Sequence, residues 1–402
     1  MFHVATEEEI RQGLVTDVYF QRSREILTGM GMNKPVKAEV FLKKFPFNEN
    51  WGVLAGVEEC MELLAGIPVT VRGMPEGCIF RKDEPVMAIE GNYLDFGHYE
   101  TAILGLLCQA SGIATKAARC RLVVPDKSLI SFGARRMHPA IAPMVERSAF
   151  IGGCDGVAVV KSAQILGEPA VGTMPHALIL ILGDTVEAAK AFNQFIDPEV
   201  KRVVLIDTFN DEKFEAVRVA EALKDDLFGV RLDTPASRRG DMVRILKEVR
   251  WELDVRGFKH VKLFVSGGLD EADLAELRPV ADAFGIGTSI TNARVLDFAL
   301  DLVEVDGVKV SKRGKCSGVK KVLRCQSCYQ DFIVLESRER ERCTCGGSLQ
   351  DLFVQFLKRG KSASKLPRPQ EVRQLVLSQL ENEKFVASLA REVIHEGFEV
   401  SE

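Results

Sequence analysis

Along the first 125 residues the spacing of apolar and polar positions changes several times. Residues 36 to 45 (VKAEVFLKKF) alternate, the period-two rhythm of a half-buried strand. Residues 53 to 65 carry apolar side chains at helical spacing and stop at Gly66, a C-cap. Val86 to Ile89 predicts another strand and Tyr99 to Arg121 a long helix, so this part has α+β character. From residue 126 onward, short β-rich runs recur at 128–132, 156–160, 202–206, 227–231, 261–265 and 281–286. Amphipathic stretches of helix length lie between most of them, such as Glu212 to Lys224 and Arg239 to Trp251. That alternation predicts parallel strands joined by crossovers, in a barrel or a doubly wound sheet.

Composition narrows the choice. The chain has 402 residues, 46% of them apolar, enough for two or three domains with a sizeable core. A net charge of −4 gives no reason to expect a nucleic-acid or membrane partner, which would favour a basic surface. The opening MFHVATEEEIRQG is acidic and lacks the apolar core of a secretory signal, so a cytoplasmic location is expected. Six of the ten cysteines (60, 78, 108, 120, 154 and 316) are scattered through apolar or mixed segments, as reduced core thiols are.

The residues that follow each strand carry the chemistry. After the β-rich runs come GARRMHP, KSAQ, DTFND, DTPASRR, SGGLD and GTSITNAR. In barrels and open sheets alike, ligands bind at this carboxyl edge. Ser266-Gly267-Gly268 and Gly285-Ile286-Gly287-Thr288 let backbone N–H groups approach a phosphate, with a helix N-terminus behind them. Arg231 and Asp233 occupy alternate positions at a strand end and face the same way. Arg231 suits a carboxylate or phosphate. Asp207 could join Asp233 in holding Mg²⁺ or ribose hydroxyls, although a structural ion pair is the plainer alternative. Phe132-Gly133-Ala134-Arg135-Arg136-Met137-His138 offers an aromatic face for a flat ring and two guanidinium groups for anionic substituents. His176 follows the turn Gly172-Thr173 and precedes the apolar run ALILIL, where a structural and a catalytic role are both open. No GxxxxGK[ST] loop, GxGxxG turn or GxSxG elbow is present.

In this order, these residues resemble the nicotinate and nicotinamide phosphoribosyltransferase superfamily over roughly residues 10 to 300. The shared elements are Thr16-Asp17-Val18-Tyr19, the Phe-Gly-x-Arg loop, Gly-Thr-x-x-His, Ile206-Asp207, Arg231-x-Asp233, Ser-Gly-Gly and Gly-x-Gly-Thr. The resemblance implies an irregular α/β barrel (residues 126–310) preceded by an N-terminal domain (1–125) that completes the active site of a second subunit in a homodimer. It implies phosphoribosyl pyrophosphate and nicotinate as substrates in NAD salvage, with ATP and Mg²⁺. Tyr19 and Phe132 would sandwich the pyridine ring. Arg135, Arg136, His138, Thr173 and Arg231 would lie around substrate carboxylate and phosphates. Asp207 and Asp233 would order ribose and metal-bound pyrophosphate, and Gly267, Gly268, Gly287 and Thr288 would cradle the 5′-phosphate. His176 matches the histidine that ATP phosphorylates in the family. Gly153-Cys154-Asp155 aligns with a place where nicotinamide-using relatives carry an amide-recognising acid. A carboxylate there would repel nicotinate unless it were compensated. A quinolinate phosphoribosyltransferase, which decarboxylates its substrate, is the nearest alternative, but the Arg-Lys-Thr cluster expected of it is missing.

The region 311–402 carries a separate signal. Cys325-x-x-Cys328 and Cys343-x-Cys345, fourteen residues apart, resemble a zinc ribbon or knuckle spanning about 322–350, its four thiolates suiting structural Zn²⁺. The intervening YQDFIVLESRERER is expected to form a β-hairpin. Lys358 to Lys365 reads as a basic linker, and residues 369 to 396 as one or two amphipathic helices. A zinc-containing nucleic-acid-binding protein is the non-enzyme alternative. It is disfavoured because Glu336, Glu339 and Glu341 are interleaved among the arginines.

Overall fold

The alternating segment near residue 36 is the strand Pro35–Leu42, with Val36, Ala38, Val40 and Leu42 buried along one face. It pairs antiparallel with Pro85–Asn92 on one side and with Phe298–Val305 on the other. That second pairing decides the domain organisation. The computed structural model describes residues 2–46, 49–234 and 240–396. It divides into a unit of residues 1–115 with 294–402 and a unit of residues 116–293. The expected boundaries at 125 and 310, and a separate C-terminal region, are therefore corrected. Strand partners so far apart in sequence leave no local trace.

In the first unit a seven-stranded sheet runs in the order Val308–Lys309, Phe298–Val305, Pro35–Leu42, Pro85–Asn92, Thr70–Gly73, Val354–Lys358, Lys361–Ser362. The basic stretch read as a linker is thus a tight hairpin, Val354–Lys358 against Lys361–Ser362. A second sheet joins Leu349–Asp351, Lys320–Cys325, Asp331–Leu335 and Ile394–Glu396. Its hairpin pairs Lys320–Cys325 with Asp331–Leu335, so Cys325 ends the first strand and Cys328 lies in the turn, not before the hairpin. The C-terminal helices are Pro369–Glu381 and Glu383–Ser388, after which the chain ends its described course as a strand. No helix among the described residues is long and apolar enough to cross a membrane.

The second unit is built on six parallel strands: β1 (Ser128–Ser131), β2 (Gly156–Val157), β3 (Arg202–Leu205), β4 (Leu227–Leu232), β5 (Lys262–Ser266) and β6 (Ala283–Ile286). They lie in the order β2-β1-β6-β5-β4-β3. Among the described residues the edge strands β2 and β3 do not pair, so the expected barrel is an open, curled half-barrel in a mixed α/β fold.

Four of the crossover helices begin at acidic caps, and the three that precede them have no side-chain cap. In α1 (Ala142–Ile151) Glu146 is fully buried and accepts the N–H groups of Ala158 and Val159. That acceptor ends β2 early and starts α2 (Val160–Leu166), where five strand residues were expected. The run ALILIL belongs to a helix, α3 (His176–Leu182), with His176 its first residue. Asp184 caps α4 (Thr185–Phe195), Asp211 caps α5 (Glu212–Leu223), and Asp241 caps α6 (Met242–Val255). Helix α7 (Glu271–Leu277) follows β5 and is capped by Asp270. Each such cap satisfies N–H groups left without a helical partner and contributes about 1 kcal/mol.

Candidate functional site

Phe132 leaves the end of β1 with its N–H donated to the Ile286 carbonyl, which holds it against β6. A Cβ built on Gly285 would lie 2.3 Å from two ring carbons of Phe132, so that glycine gives the ring its seat. Gly285 was expected to bind phosphate, but here it makes room for the aromatic face. The Arg231 guanidinium, from β4, lies over the same ring with its central carbon 4.9 Å from the centroid.

Arg231 then connects three other side chains, Thr173, Ser266 and Asp233. Its Nη1 donates to Thr173 Oγ1 at 3.2 Å and its Nε to Ser266 Oγ at 2.9 Å. Ser266 Oγ passes its own hydrogen to Asp233 Oδ1 at 2.8 Å, and Arg231 Nη2 stands 3.5 Å from Asp233 Oδ2. Ser266, buried at the end of β5, therefore braces Arg231 against Asp233 with its side chain. Asp233 donates its backbone N–H to Asp207 Oδ2 at 2.8 Å. His176 Nε2 faces both acids, 3.8 Å from Asp207 Oδ1 and 3.9 Å from Asp233 Oδ2. Its Nδ1 lies 2.9 Å from Thr208 Oγ1.

Phe132, Thr173, His176, Asp207, Arg231, Asp233 and Ser266 thus form one continuous chain of contacts along the carboxyl edge of the sheet. Phe132, Thr173, Arg231 and Ser266 also line a cavity of about 810 Å³. Burial pushes the Asp207 carboxyl above its ordinary range, although the Asp233 N–H and nearby His176 pull the other way. Burial also lowers Arg231, an effect Asp233 and Asp207 oppose and nearby Arg135 reinforces. Asp207 Oδ1 is buried with no hydrogen-bond partner. A paired set of carboxylates with an unsatisfied buried oxygen fits a hard cation such as Mg²⁺, which takes oxygen ligands.

The two glycine turns differ. Gly267 and Gly268 have φ of +95° and +71°, a conformation that favours glycine, and a Cβ on Gly287 would meet nothing nearer than 3.8 Å. The helix N-terminus expected to help the Ser-Gly-Gly turn is already occupied. Asp270 accepts the N–H groups of Ala272 and Asp273, and the first turn carries Glu271 and Asp273. Thr288 follows Gly287 as the first residue of a single helical turn.

The other sequence candidates are not part of this contact chain. Arg135 and Arg136 are exposed on a short turn after Phe132. His138 uses Nδ1 to accept the Ala140 N–H and so caps the next turn. Tyr19 belongs to the first unit, where it is 56% exposed on the helix Val18–Gly29. Of the loop DTPASRR, residues 235–239 lie outside the described residues. Asp155, exposed just before β2, lines the cavity beside the amino-terminal half of β1, away from the carboxyl edge. Its Oδ2 is taken by Arg121 Nη2 at 2.5 Å and the Leu129 N–H at 2.8 Å.

Sequence reasoning missed Thr208, Arg121 and Glu146. Thr208 could have been found as the residue beside Asp207, and Glu146 as the lone acid in the apolar stretch APMVERSAFI. Arg121 left no signal, because a basic residue near a helix end ordinarily faces water.

Two family models match the chain: the N-terminal domain of quinolinate phosphoribosyl transferase over residues 17–111 and its C-terminal domain over residues 113–301. A nicotinate phosphoribosyltransferase of Mycobacterium tuberculosis is 30% identical over 340 residues, which is 75% of this chain and 74% of that one. Its counterpart from Bacillus subtilis is 29% identical, covering 77% of this chain and 72% of its own. Among solved structures, a nicotinate-nucleotide pyrophosphorylase from Pyrococcus furiosus has a TM-score of 0.93 at 52% identity, covering 96% of this chain and 98% of that one. Human nicotinic acid phosphoribosyltransferase shares the fold, with a TM-score of 0.78 at 21% identity over 95% and 97% of the two chains.

Proposed function

The chain belongs to the nicotinate phosphoribosyltransferase family, and from that premise we propose that it joins nicotinate to the ribose of phosphoribosyl pyrophosphate, with ATP coupled through His176. The observation that carries the reading is the unbroken contact chain from Phe132 through Arg231, Ser266, Asp233 and Asp207 to His176. It brings an aromatic face, a guanidinium, two acids and a histidine to one edge beside a cavity.

The parts suit the chemistry. Displacing pyrophosphate from C1 of the ribose builds positive charge on the sugar, so positioning and electrostatics do most of the work. Phe132 and Arg231 supply a surface on which a flat pyridine ring can stack. Arg231, already braced by Ser266 and Thr173, offers its fork to anionic groups without having to be ordered first. The open Gly267-Gly268 and Gly287-Thr288 turns are the places for the 5′-phosphate. Asp207 and Asp233 would hold Mg²⁺, whose charge offsets that of pyrophosphate. With ATP, the γ-phosphoryl group would pass to a His176 ring nitrogen as ADP departs, altering anion affinity beside the two acids. By its family likeness the protein would act as a dimer in which Tyr19 reaches the partner's ring site.

The four cysteines form a second site of structural kind. Their Sγ atoms all lie within 4.8 Å of one another, with Cys325 to Cys345 and Cys328 to Cys343 each at 3.6 Å. A tetrahedron of roughly 2.3 Å zinc–sulfur bonds has edges of about 3.8 Å. Burial raises the Cys325 thiol, but the N–H groups of Cys328 and Ser327 outweigh it and bring the thiol down to about 6, whereas burial and the neighbouring thiols push Cys328 up to about 12, so the case for a metal rests on the geometry of the four sulfurs. Structural Zn²⁺ fits this set. Native mass spectrometry should show one zinc per chain, and a metal-free mass would reject it.

The catalytic reading is tested with purified protein, Mg²⁺, phosphoribosyl pyrophosphate and one of nicotinate, nicotinamide or quinolinate, each with and without ATP. Nicotinate mononucleotide formed fastest from nicotinate, and faster with ATP, is the expected result. Product only from quinolinate, with release of carbon dioxide, would replace this reading by its closest alternative.

A further inference from the structure

His176 offers two ring nitrogens, and its surroundings treat them differently. The histidine is the first residue of α3, a helix with no side-chain cap and with Ile179 as its buried residue, so the helix itself does little to orient the ring. Among the described residues, Thr208 Oγ1 is the group at hydrogen-bond distance from the ring, 2.9 Å from Nδ1. Nε2 faces the two acids, 3.8 Å from Asp207 Oδ1 and 3.9 Å from Asp233 Oδ2, too far for a hydrogen bond to either. Thr208 reaches the ring from a fixed base. The Ile206 N–H is donated to the Arg231 carbonyl at 3.1 Å, and Asp207 Oδ2 accepts the Asp233 N–H at 2.8 Å, which ties the two residues before Thr208 to the end of β4. Its β-branched side chain adds little freedom of its own at χ1.

In a neutral imidazole one nitrogen carries the proton and the other the lone pair, and the hydrogen bond made by one decides the use of the other. A hydroxyl seated on Nδ1 occupies the direction from which that nitrogen could attack. We infer that Thr208 is a positioning residue for the ATP-coupled step: by holding Nδ1 it leaves Nε2, turned toward Asp207 and Asp233, as the atom that receives the phosphoryl group. The inference rests on the proposed coupling through His176 and adds to it the reacting atom and the residue that selects it. The Nε2 lone pair forms the bond to the γ-phosphorus of ATP, the bond from that phosphorus to the bridging oxygen breaks, and ADP leaves with the electron pair. The ring proton stays on Nδ1 and is donated to Thr208 Oγ1. Because Nε2 is the nitrogen that faces the acids, a phosphoryl group there changes the charge beside Asp207 and Asp233 most directly.

The experiment uses the full chain labelled with ¹⁵N-histidine, treated with Mg²⁺ and ATP, and reads the phosphorylated nitrogen by phosphorus–nitrogen correlation in NMR, with His176→Ala as the blank. Alongside it, the rate of nicotinate mononucleotide formation is measured with and without ATP in the wild type, Thr208→Val and Thr208→Ser. Wild-type phosphate should sit on Nε2. Thr208→Val, which keeps the shape and loses the hydroxyl, should cut the ratio of ATP-stimulated to ATP-free rate about tenfold, the scale of one hydrogen bond, or move phosphate to Nδ1. Thr208→Ser should restore both. A merely structural threonine would lower the two rates together and leave their ratio and the phosphate position unchanged, and that result overturns the inference. Phosphate on Nδ1 of the wild type overturns it as well while leaving the proposed coupling intact, and this measurement decides alone if Thr208→Val does not fold. A wild type that makes nicotinate mononucleotide but forms no phosphohistidine refutes the coupling itself, and the role of Thr208 falls with it.

Discussion

Asp331 in the first unit and Asp207 in the second are both buried aspartates near guanidinium groups, yet their surroundings act in opposite directions. Asp331 is wholly buried and accepts Arg324 Nε and Nη2 at 2.7 Å each, with Arg81 on the same carboxylate. Burial alone would raise its carboxyl, but the two arginines more than offset this and hold it below the usual range. Asp207 has one backbone N–H on Oδ2, nothing on Oδ1, and a histidine at 3.8 Å. Its carboxyl is raised, because burial is not answered. The first acid is completed by its own chain, so it stabilises the fold. The second is left short of partners at a cavity edge, and a ligand would complete it. Burial of charge is common to both, and only the unsatisfied one points to function.

That contrast can be broken experimentally. The largest effect should come from Asp207→Ala, which is expected to lower kcat about 10³-fold, near the upper end for losing one preorganised charged group. Its melting temperature should stay near wild type, and a large loss of stability with activity intact would reverse the comparison. Asp331→Ala should do the opposite. Two buried arginines lose their counter-charge, so unfolding in denaturant should show a loss of about 3–5 kcal/mol, while kcat per folded molecule stays close to wild type.

His176→Ala sharpens the functional side. Slow transfer should persist, and the stimulation by ATP should disappear. An unchanged ATP response would remove His176 from the coupling step. The smallest effect is expected at Glu100, a half-buried acid in the first unit that burial, then Asp301 and Asp17, raise to about 7. Because its folded pKa lies above its unfolded one, ionising it works against folding, and stability should fall as pH rises from about 4.5 to 7. Glu100→Gln should therefore melt slightly higher than wild type at pH 8 and equally at pH 4.5. The same difference at both pH values would mean that the charge is not the cause.

Much of the site was legible because it depends on local pattern. Five of the six parallel strands coincide with β-rich runs to within a residue or two, and the polar residues after them reach one edge because parallel strands all end there. Asp207, Arg231, Asp233 and His176 were singled out by their places after strands and turns, while the roles expected of them came from the family resemblance. Roles were harder to read than membership. Ser266 and Gly285 stood in a phosphate-like motif, yet Ser266 braces Arg231 and Gly285 seats the Phe132 ring. The helix behind Ser-Gly-Gly proved to be capped by its own Asp270. Two residues from far apart in the chain, Arg121 and Asp155, meet only because β1 and β2 are adjacent.

By itself the amino-acid sequence determined the parallel strand–helix architecture, the acids, arginine and histidine of the edge, and the four-cysteine cluster. All of these follow from side-chain period and short-range spacing, which act within a few residues of the chain. Tertiary structure alone decided that Phe298–Val305 and Val354–Lys358 return to pair with the N-terminal strands, that the parallel sheet stays open among the described residues, and that Asp155 is answered by Arg121. Hydrogen-bond registers and buried charge pairs join residues that are distant in sequence, and no local pattern records which partner each will find.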